Sequence, residues 1–171
     1  MLLASYKSTR PGLQGVANIA IRIGLRGVYS HSEIVFEPGD GVGHLMPDGT
    51  CDAGQDGALW SVSSVAAERL PAWSRQRPGR IGGVRFKRIA FDKDRWDLVP
   101  VHRNPLEAAT RAKAYEGAPY DWRLIVGYVS WLMPGSSTAW CCHEIAGYML
   151  GIPNPHRLDP CSLHDVVQWS A

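Results

Sequence analysis

Frequent glycine and proline residues are the feature that most constrains how this chain can fold. The 171 residues include 18 glycines and 12 prolines, and both residue types mark turns. With 45% hydrophobic and 20% charged residues, the chain has the composition of one compact domain with a single core. No internal repeat, low-complexity stretch or long linker divides it. We therefore expect a single domain over residues 1–171 that contains long loops.

The charge balance argues against a polyanionic partner. Eighteen Lys and Arg against sixteen Asp and Glu give a formal net charge of +2, which does not predict a nucleic-acid surface. The longest nearly uncharged apolar run, Leu124–Met133, is about half of the roughly 20 residues needed to span a bilayer, so we expect no membrane span. The residues from Met1 to Arg10 lack the pattern of a secretion signal. The sequence thus predicts a soluble protein that is synthesised in the cytoplasm.

The cysteines do not predict a disulfide scaffold. Four cysteines are too few for such a scaffold in a chain of this length, and we expect reduced thiols. They are Cys51, Cys141, Cys142 and Cys161. Cys141 and Cys142 need separate explanations, because a disulfide between neighbours would force the intervening peptide into strained geometry.

Runs of β-branched and aromatic residues, bounded by turn residues, predict a small antiparallel sheet. The predicted strands cover residues 2–7, Val28–Phe36, Leu59–Val65, Val84–Ile89 and Trp96–Val101. Val84–Ile89 alternates apolar and basic residues, which is typical of a strand with one solvent-facing side. Trp96–Val101 is its expected partner strand.

Two helices are predicted in the first two thirds of the chain. Apolar residues at three- and four-residue intervals predict a helix from about Val16 that ends near Gly24 or Gly27. Asn104-Pro105 supplies an N-cap and a first-turn proline for a helix over Leu106–Glu116.

Three further helices are predicted towards the C-terminus. One covers Asp121–Leu132, and the next has Cys142 in its first turn and ends at Gly151. The last helix starts near Asp159-Pro160 or at Ser162. The fold class is therefore α+β, with a small antiparallel sheet packed against helices.

The position of Cys142 predicts a reactive thiol. A helix start presents unpaired backbone N–H groups and the positive end of the helix dipole, which favour the thiolate. Among the six histidines, His31 alone lies within a predicted strand, and Glu33 points to the same side of that strand. A histidine presented from a sheet to a cysteine at a helix start is the geometry of a Cys–His hydrolase.

Other interpretations of these residue types remain open at this point. A strand histidine and a buried cysteine are often structural, as in a non-catalytic binding module. Cysteine and histidine side chains also bind zinc, which makes a structural zinc site an alternative. The residues concerned are Cys141, Cys142, His143, Cys161 and His164.

The neighbours of Cys142 are expected to play lesser parts. Consecutive helical side chains point about 100° apart, so we predict that His143 does not face the Cys142 thiol. Glu144 is expected to interact with the positive end of the helix dipole rather than to take part in catalysis.

Three segments resemble the circularly permuted NlpC/P60-type, papain-like cysteine hydrolases. They are Tyr29–Phe36, Gly117–Trp122 and Trp140–Glu144. In the permuted group the histidine strand precedes the cysteine helix, which is the order found here. The resemblance implies Cys142 as the nucleophile and His31 as the general base. Glu33 is our choice for the third, orienting residue, and a polar side chain from the following strand is the alternative.

The resemblance also implies a class of reaction and of substrate. The reaction passes through a thiolate and an acyl-enzyme and requires no cofactor. The implied substrate is an amide bond in a peptidoglycan stem peptide, as for a phage or bacterial cell-wall hydrolase, and phage tail proteins are further candidate partners. Permuted relatives also include enzymes that act on lipid-linked acyl groups, so a lipid-acyl hydrolase or acyltransferase is the alternative. Because the wall lies outside the membrane, delivery by a virion, a secretion system or lysis is expected.

Donors to the developing oxyanion are only partly predicted. The backbone N–H at the helix start is the natural first donor. The second is unassigned; Tyr29 and Tyr120 are candidates, although packing roles are expected for both.

Overall fold

Five antiparallel strands form one sheet. The computed structural model describes residues 1–123 and 138–170. The strands are β1 (Leu2–Tyr6), β2 (His31–Phe36), β3 (Leu59–Arg69), β4 (Ile81–Ile89) and β5 (Trp96–Pro100). Their order across the sheet is β4-β3-β2-β1-β5, and every neighbouring pair is antiparallel. The predicted antiparallel sheet is confirmed.

Four helices accompany the sheet in the described part of the chain, which confirms the α+β class. They are α1 (Leu13–Leu25), α2 (Pro105–Ala114), α3 (Cys142–Met149) and α4 (Pro160–Trp169). None of the helices over residues 1–123 and 138–170 is long and apolar enough to cross a membrane. The helix predicted over Asp121–Leu132 falls almost entirely outside the described residues.

Side-chain caps set the starts of α2 and α4. The Asn104 side chain accepts hydrogen bonds from the backbone N–H groups at the start of α2, as predicted. Asp159 does the same for α4, accepting from the N–H groups of Cys161 and Ser162. An acceptor at the N-cap satisfies donors that the helix itself leaves unpaired. The predicted start at Asp159-Pro160 is therefore confirmed, and the alternative start at Ser162 is wrong.

The predicted pairing of the fifth strand with the fourth is wrong. β5 pairs with β1, with Trp96 opposite Tyr6, and so lies at the edge of the sheet opposite to β4. The rings of Tyr6 and Trp96 meet edge to face with centroids 4.8 Å apart. Next to them, Lys7 forms an ion pair with Asp97 at 2.6 Å. Closeness in sequence favoured a β4–β5 hairpin, but these cross-strand contacts favour β1.

Strand boundaries also differ from the predicted ones. β2 starts at His31 rather than at Val28. β3 continues to Arg69 instead of ending at Val65, and β4 already begins at Ile81. A register shift between Val65 and Arg69 allows the β3–β4 pairing to continue beyond the apolar run that marked the strand in the sequence.

Helices α2, α3 and α4 pack on the sheet face that carries the main core. This core combines strand residues such as Leu3, Ile34, Phe36, Val62 and Phe86 with apolar residues of the three helices. A smaller cluster, centred on Tyr6, Val35 and Trp96, lies apart from it. Packing of α3 against β2 and β3 determines where the start of that helix meets the sheet.

Candidate active site

Cys142 is the first residue of α3, as predicted, and Cys141 is the N-cap. The Cys141 backbone N–H donates to Oε2 of Glu144 at 2.8 Å. Glu144, in the first turn of α3, thereby caps the N-terminus of the helix. An isolated bridge between Tyr120 and Trp140 holds the chain that leads into the helix. Backbone contacts and a capping carboxylate thus fix the position of the buried Cys142 side chain.

The structure brings His31 and the Cys142 thiol together. His31 lies at the start of β2, before the ladder with β3, which begins at Ile34. Burial by itself would lower the pKa of His31, but the charge and hydrogen bond of Cys142, together with Glu33, raise it. Burial by itself would raise the pKa of Cys142, but His31 and His143 lower it to about 5. The two groups therefore favour a thiolate–imidazolium pair at neutral pH.

Glu33 holds the other side of the His31 ring. Nε2 of His31 lies 3.1 Å from Oε1 of Glu33, which makes Nδ1 the ring nitrogen available to the thiol. Glu33 is fully buried, and Arg85 donates to both of its oxygens, at 2.9 and 2.8 Å. Ser61 Oγ donates to Oε2 at 2.6 Å. The carboxylate is positioned to orient the imidazole.

The surroundings of Glu33 keep it ionised. Burial by itself would raise the pKa of Glu33, but the positive charge of Arg85 and the hydrogen bonds from His31 and Arg85 hold the pKa well below its usual range. The side chains of His31, Ser61 and Arg85 therefore provide hydrogen-bond partners for a carboxylate that would be costly to bury as an unpaired charge.

Arg85 and Ser61 are site residues that the sequence analysis missed. The alternation in β4 predicted that its basic residues face solvent. This prediction is wrong for Arg85, whose side chain is only 2% exposed. The guanidinium turns inward to Glu33, and its Nε lies 3.3 Å from Oε2 of Glu68. A charged residue on a buried strand needs a charged partner. A strand glutamate and a strand arginine in one sheet were the signal that could have identified this pair.

The prediction that His143 cannot face the Cys142 thiol is wrong. His143 is 1% exposed, and its hydrogen bond and charge act on the thiol together with those of His31. Contact between neighbouring residues at a helix start depends on their side-chain rotamers as well as on the 100° step between them, and the prediction used only that step. His31 remains the candidate base because Glu33 orients its ring.

The two adjacent cysteines have opposite environments. The Cys141 thiol donates to the backbone carbonyl oxygen of Asp121 at 3.3 Å. Burial, together with the negative charges of Cys142 and Glu144, raises the pKa of Cys141 above its ordinary value. Cys141 is therefore held as a thiol, while its neighbour is favoured as a thiolate.

A cleft of about 710 Å³ opens beside His31. One wall comes from the outer half of β3, residues 64–68, and the other from α1 and the segment around Tyr120. Its lining includes the charged residues Arg10, Glu68 and Lys87 and the apolar or aromatic residues Ile21, Val65, Tyr120 and Trp122. This space is large enough for part of a peptide or an acyl chain.

The remaining candidates lie in a separate network. The Tyr29 hydroxyl donates to Asp97 at 2.8 Å and lies 3.2 Å from Nε2 of His164. Nδ1 of His164 lies 2.9 Å from Ser5 Oγ, and the Cys161 thiol lies 3.7 Å from the Tyr29 carbonyl oxygen. Tyr29 is thus engaged away from the thiol. Of the described residues, no group of three or more His, Cys, Asp or Glu is placed to hold a metal ion.

Comparison with known proteins finds no matching family model, no similar curated protein and no similar solved structure. The function is therefore argued from the site itself.

Proposed function

We propose that this protein is a cysteine-dependent hydrolase with the permuted papain-like arrangement of the NlpC/P60 type. The observation that carries the proposal is the continuous series of contacts from Arg85 through Glu33 and His31 to Cys142. Such a series supplies a nucleophile, a base and a group that orients the base. The order of His31 before Cys142 in the chain supports the permuted arrangement.

In the proposed reaction the Cys142 thiolate attacks an amide or ester carbonyl carbon, and the carbonyl π electrons move to the oxygen. The backbone N–H at the start of α3 stabilises that oxyanion. His31 gives its proton to the leaving group as the carbonyl re-forms, which leaves a thioester on Cys142. Water then loses a proton to His31 and attacks the thioester, releasing the acid and regenerating the thiolate pair. Glu33 stays ionised throughout and positions the imidazole.

We propose an amide bond in a peptidoglycan stem peptide as the substrate. The cleft beside His31 carries both charged and apolar groups, which suits a short peptide with polar and methyl-bearing residues. As a phage product the protein would reach this substrate with the virion tail or at lysis.

Digestion of purified peptidoglycan tests this substrate. Muropeptides are analysed by mass spectrometry after incubation with the protein or with the Cys142→Ala variant. The expected result is a set of cleaved stem peptides that the variant does not produce. Intact stem peptides in both samples would exclude peptidoglycan as the substrate.

A lipid-acyl substrate is the second candidate, and α1 is the observation that favours it. Val16, Ile19 and Ile23 lie on one side of this helix and are 63%, 44% and 71% exposed. Asn18 and Ile21 of the same helix line the cleft. An exposed apolar helix beside the cleft would place it at a lipid surface. Release of fatty acid from phosphatidylglycerol vesicles, with no cleavage of stem peptides, would favour this candidate.

A further inference from the structure

Arg10 is a half-buried cation of the cleft that lacks an acidic partner. Its side chain lines the cleft together with His31. It forms no ion pair with any Asp or Glu that the structure describes, and residues 124–137 contain neither residue type. A charged group that is partly removed from water is normally compensated, so this guanidinium requires an explanation.

The other charged residues that line the described part of the cleft, Glu68 and Lys87, compensate each other. Nζ of Lys87 donates to Oε1 of Glu68 at 2.5 Å. Oε2 of Glu68 accepts from Nε of Arg85 at 3.3 Å, so both carboxylate oxygens already have a cationic partner. Arg10 therefore gives the cleft a positive charge that no described side chain neutralises.

The surroundings of Arg10 hold it on the same side of the sheet as His31. Tyr6 lies opposite His31 in the register of β1 and β2, so the two side chains point to one face. The guanidinium carbon of Arg10 lies 5.2 Å from the centroid of the Tyr6 ring. The Arg10 backbone N–H donates to Oδ1 of Asn18 at 3.4 Å, and Nδ2 of Asn18 donates to Ser30 Oγ at 3.1 Å, directly before His31. The neutral ring positions the guanidinium but leaves its N–H donors unpaired.

We propose that Arg10 forms a carboxylate subsite in the cleft and selects substrates that carry a free carboxylate near the bond attacked by Cys142. This inference rests on the proposed function and narrows its substrate class. A guanidinium presents its N–H donors in a planar fork that matches the two oxygens of a carboxylate. A single carboxylate also supplies the one negative charge that the cleft lacks.

Pairs of alkylating probes test this subsite without a known substrate. N-iodoacetyl-glycine, N-iodoacetyl-β-alanine and N-iodoacetyl-γ-aminobutyrate are each compared with the corresponding amide. Both members of a pair react with the thiolate in the same way and differ only in a carboxylate or a carboxamide at the far end. The three lengths sample different distances between the thiol and the guanidinium.

Rates at Cys142 are measured at neutral pH by peptide mapping for the wild-type protein, Arg10→Gln and Lys87→Met. Arg10→Gln retains the backbone N–H that Asn18 accepts. Lys87→Met is the matched control, because it removes a cation that lines the same cleft but already has an acidic partner.

The expected result is a selective loss. For at least one probe length, the wild-type protein should react faster with the carboxylate than with the amide. Arg10→Gln should lower that carboxylate-to-amide rate ratio about 10-fold, the usual effect of losing one charge-assisted hydrogen bond. Its rates with the amides should remain those of the wild type, because the thiolate itself is unchanged. Lys87→Met should keep the wild-type ratio within about two-fold.

Several results would overturn the inference. An unchanged ratio at every probe length in Arg10→Gln would do so, and so would an equal fall in Lys87→Met or an equal loss of rate with both members of each pair. Faster Arg10-dependent alkylation by N-iodoacetyl-phosphoethanolamine than by every carboxylate probe would assign the subsite to phosphate instead. A wild-type Cys142 that reacts with the neutral amides no faster than Cys161 would overturn the proposed function. That result is seen before any variant is made, so the two failures are distinguishable.

Discussion

At the residue scale, the site depends on keeping two buried groups charged. Cys142 owes its lowered pKa to His31 and His143, and Glu33 owes its own to Arg85 and His31. Burial opposes the charged form of each group, so a single lost partner leaves a buried charge without compensation. The resulting effects on reactivity and on stability can be measured separately.

The reactivity of Cys142 should follow its lowered pKa. Its alkylation rate by iodoacetamide should rise with pH through a midpoint of about 5 and then level off, because the thiolate is the reactive form. His31→Ala should move the midpoint upward, since the thiolate loses its cationic partner. Peptide mapping by mass spectrometry measures each cysteine in the same sample. Cys161, whose pKa is raised by burial, is the internal control, and a shared midpoint for both cysteines would contradict the predicted pair.

The Arg85–Glu33 pair should be costly to break and much less costly to remove as a whole. Arg85→Met leaves the Glu33 carboxylate buried without its main partner, and the free energy of unfolding should fall by about 3–5 kcal/mol. The double variant Glu33→Gln/Arg85→Met should recover most of that loss but alkylate at a higher pH midpoint than the wild type, because His31 is no longer held by a carboxylate. Urea unfolding and alkylation measure the two effects.

A control for that comparison is Lys87→Met. Lys87 pairs with Glu68 at 2.5 Å but is 48% exposed, so its loss should change the free energy of unfolding by at most about 1 kcal/mol. An Arg85→Met variant no less stable than this control would contradict the importance assigned to the buried pair.

At the element scale, the start of α3 determines where the thiol lies. Glu144 accepts from the Cys141 N–H, so the capping group and the nucleophile belong to the same helical turn. α2 offers a comparable cap at Asn104, on a helix start without any site residue. The two caps therefore allow helix stability and site geometry to be separated.

Removal of the two caps should have similar effects on stability and different effects on reactivity. Glu144→Ala and Asn104→Ala should each lower the free energy of unfolding by about 1 kcal/mol, the usual contribution of a cap. Only Glu144→Ala should slow alkylation of Cys142, because the first turn of α3 loses its anchor. Urea unfolding and alkylation at neutral pH measure both quantities. Equal alkylation rates in the two variants would show that the cap does not position the thiol.

At the scale of the whole molecule, the buried Glu33 carboxylate makes the stability of the sheet depend on pH. Glu33 lies on β2, Ser61 on β3 and Arg85 on β4, so ionisation of one group affects three neighbouring strands. The pKa of Glu33 is lower in the folded protein than its ordinary value of 4.5. Its contribution to stability is therefore complete above the pKa of the unfolded chain and is lost as the pH falls through the folded-state pKa.

Acid should thus destabilise the wild-type protein more than the variant that lacks the pair. We expect the free energy of unfolding to fall as the pH drops below 4.5, and Glu33→Gln/Arg85→Met to show a shallower fall. Urea unfolding at a series of pH values from neutral to acid measures both slopes. Identical slopes would mean that Glu33 is not the group through which acid acts.

Local patterns in the sequence were sufficient to predict most of the helices and strands and the positions of His31 and Cys142 within them. Helical periodicity and capping residues predicted α2, α4 and the position of Cys142 at a helix start. The two-residue repeat of a strand predicted that His31 and Glu33 share one side. These features depend on neighbours a few residues away, so a single sequence contains them.

Only the tertiary structure decided which distant residues meet. The partner of β5, the burial of Arg85 and the contact of His143 with the thiol all differ from the predictions, and each depends on residues brought together by sheet order or by packing at a helix start. The alternation of basic and apolar residues in β4 is the same whether Arg85 faces water or a buried carboxylate. What distinguishes the two cases is Glu33, 52 positions away in the chain, and local periodicity carries no information about a partner at that distance.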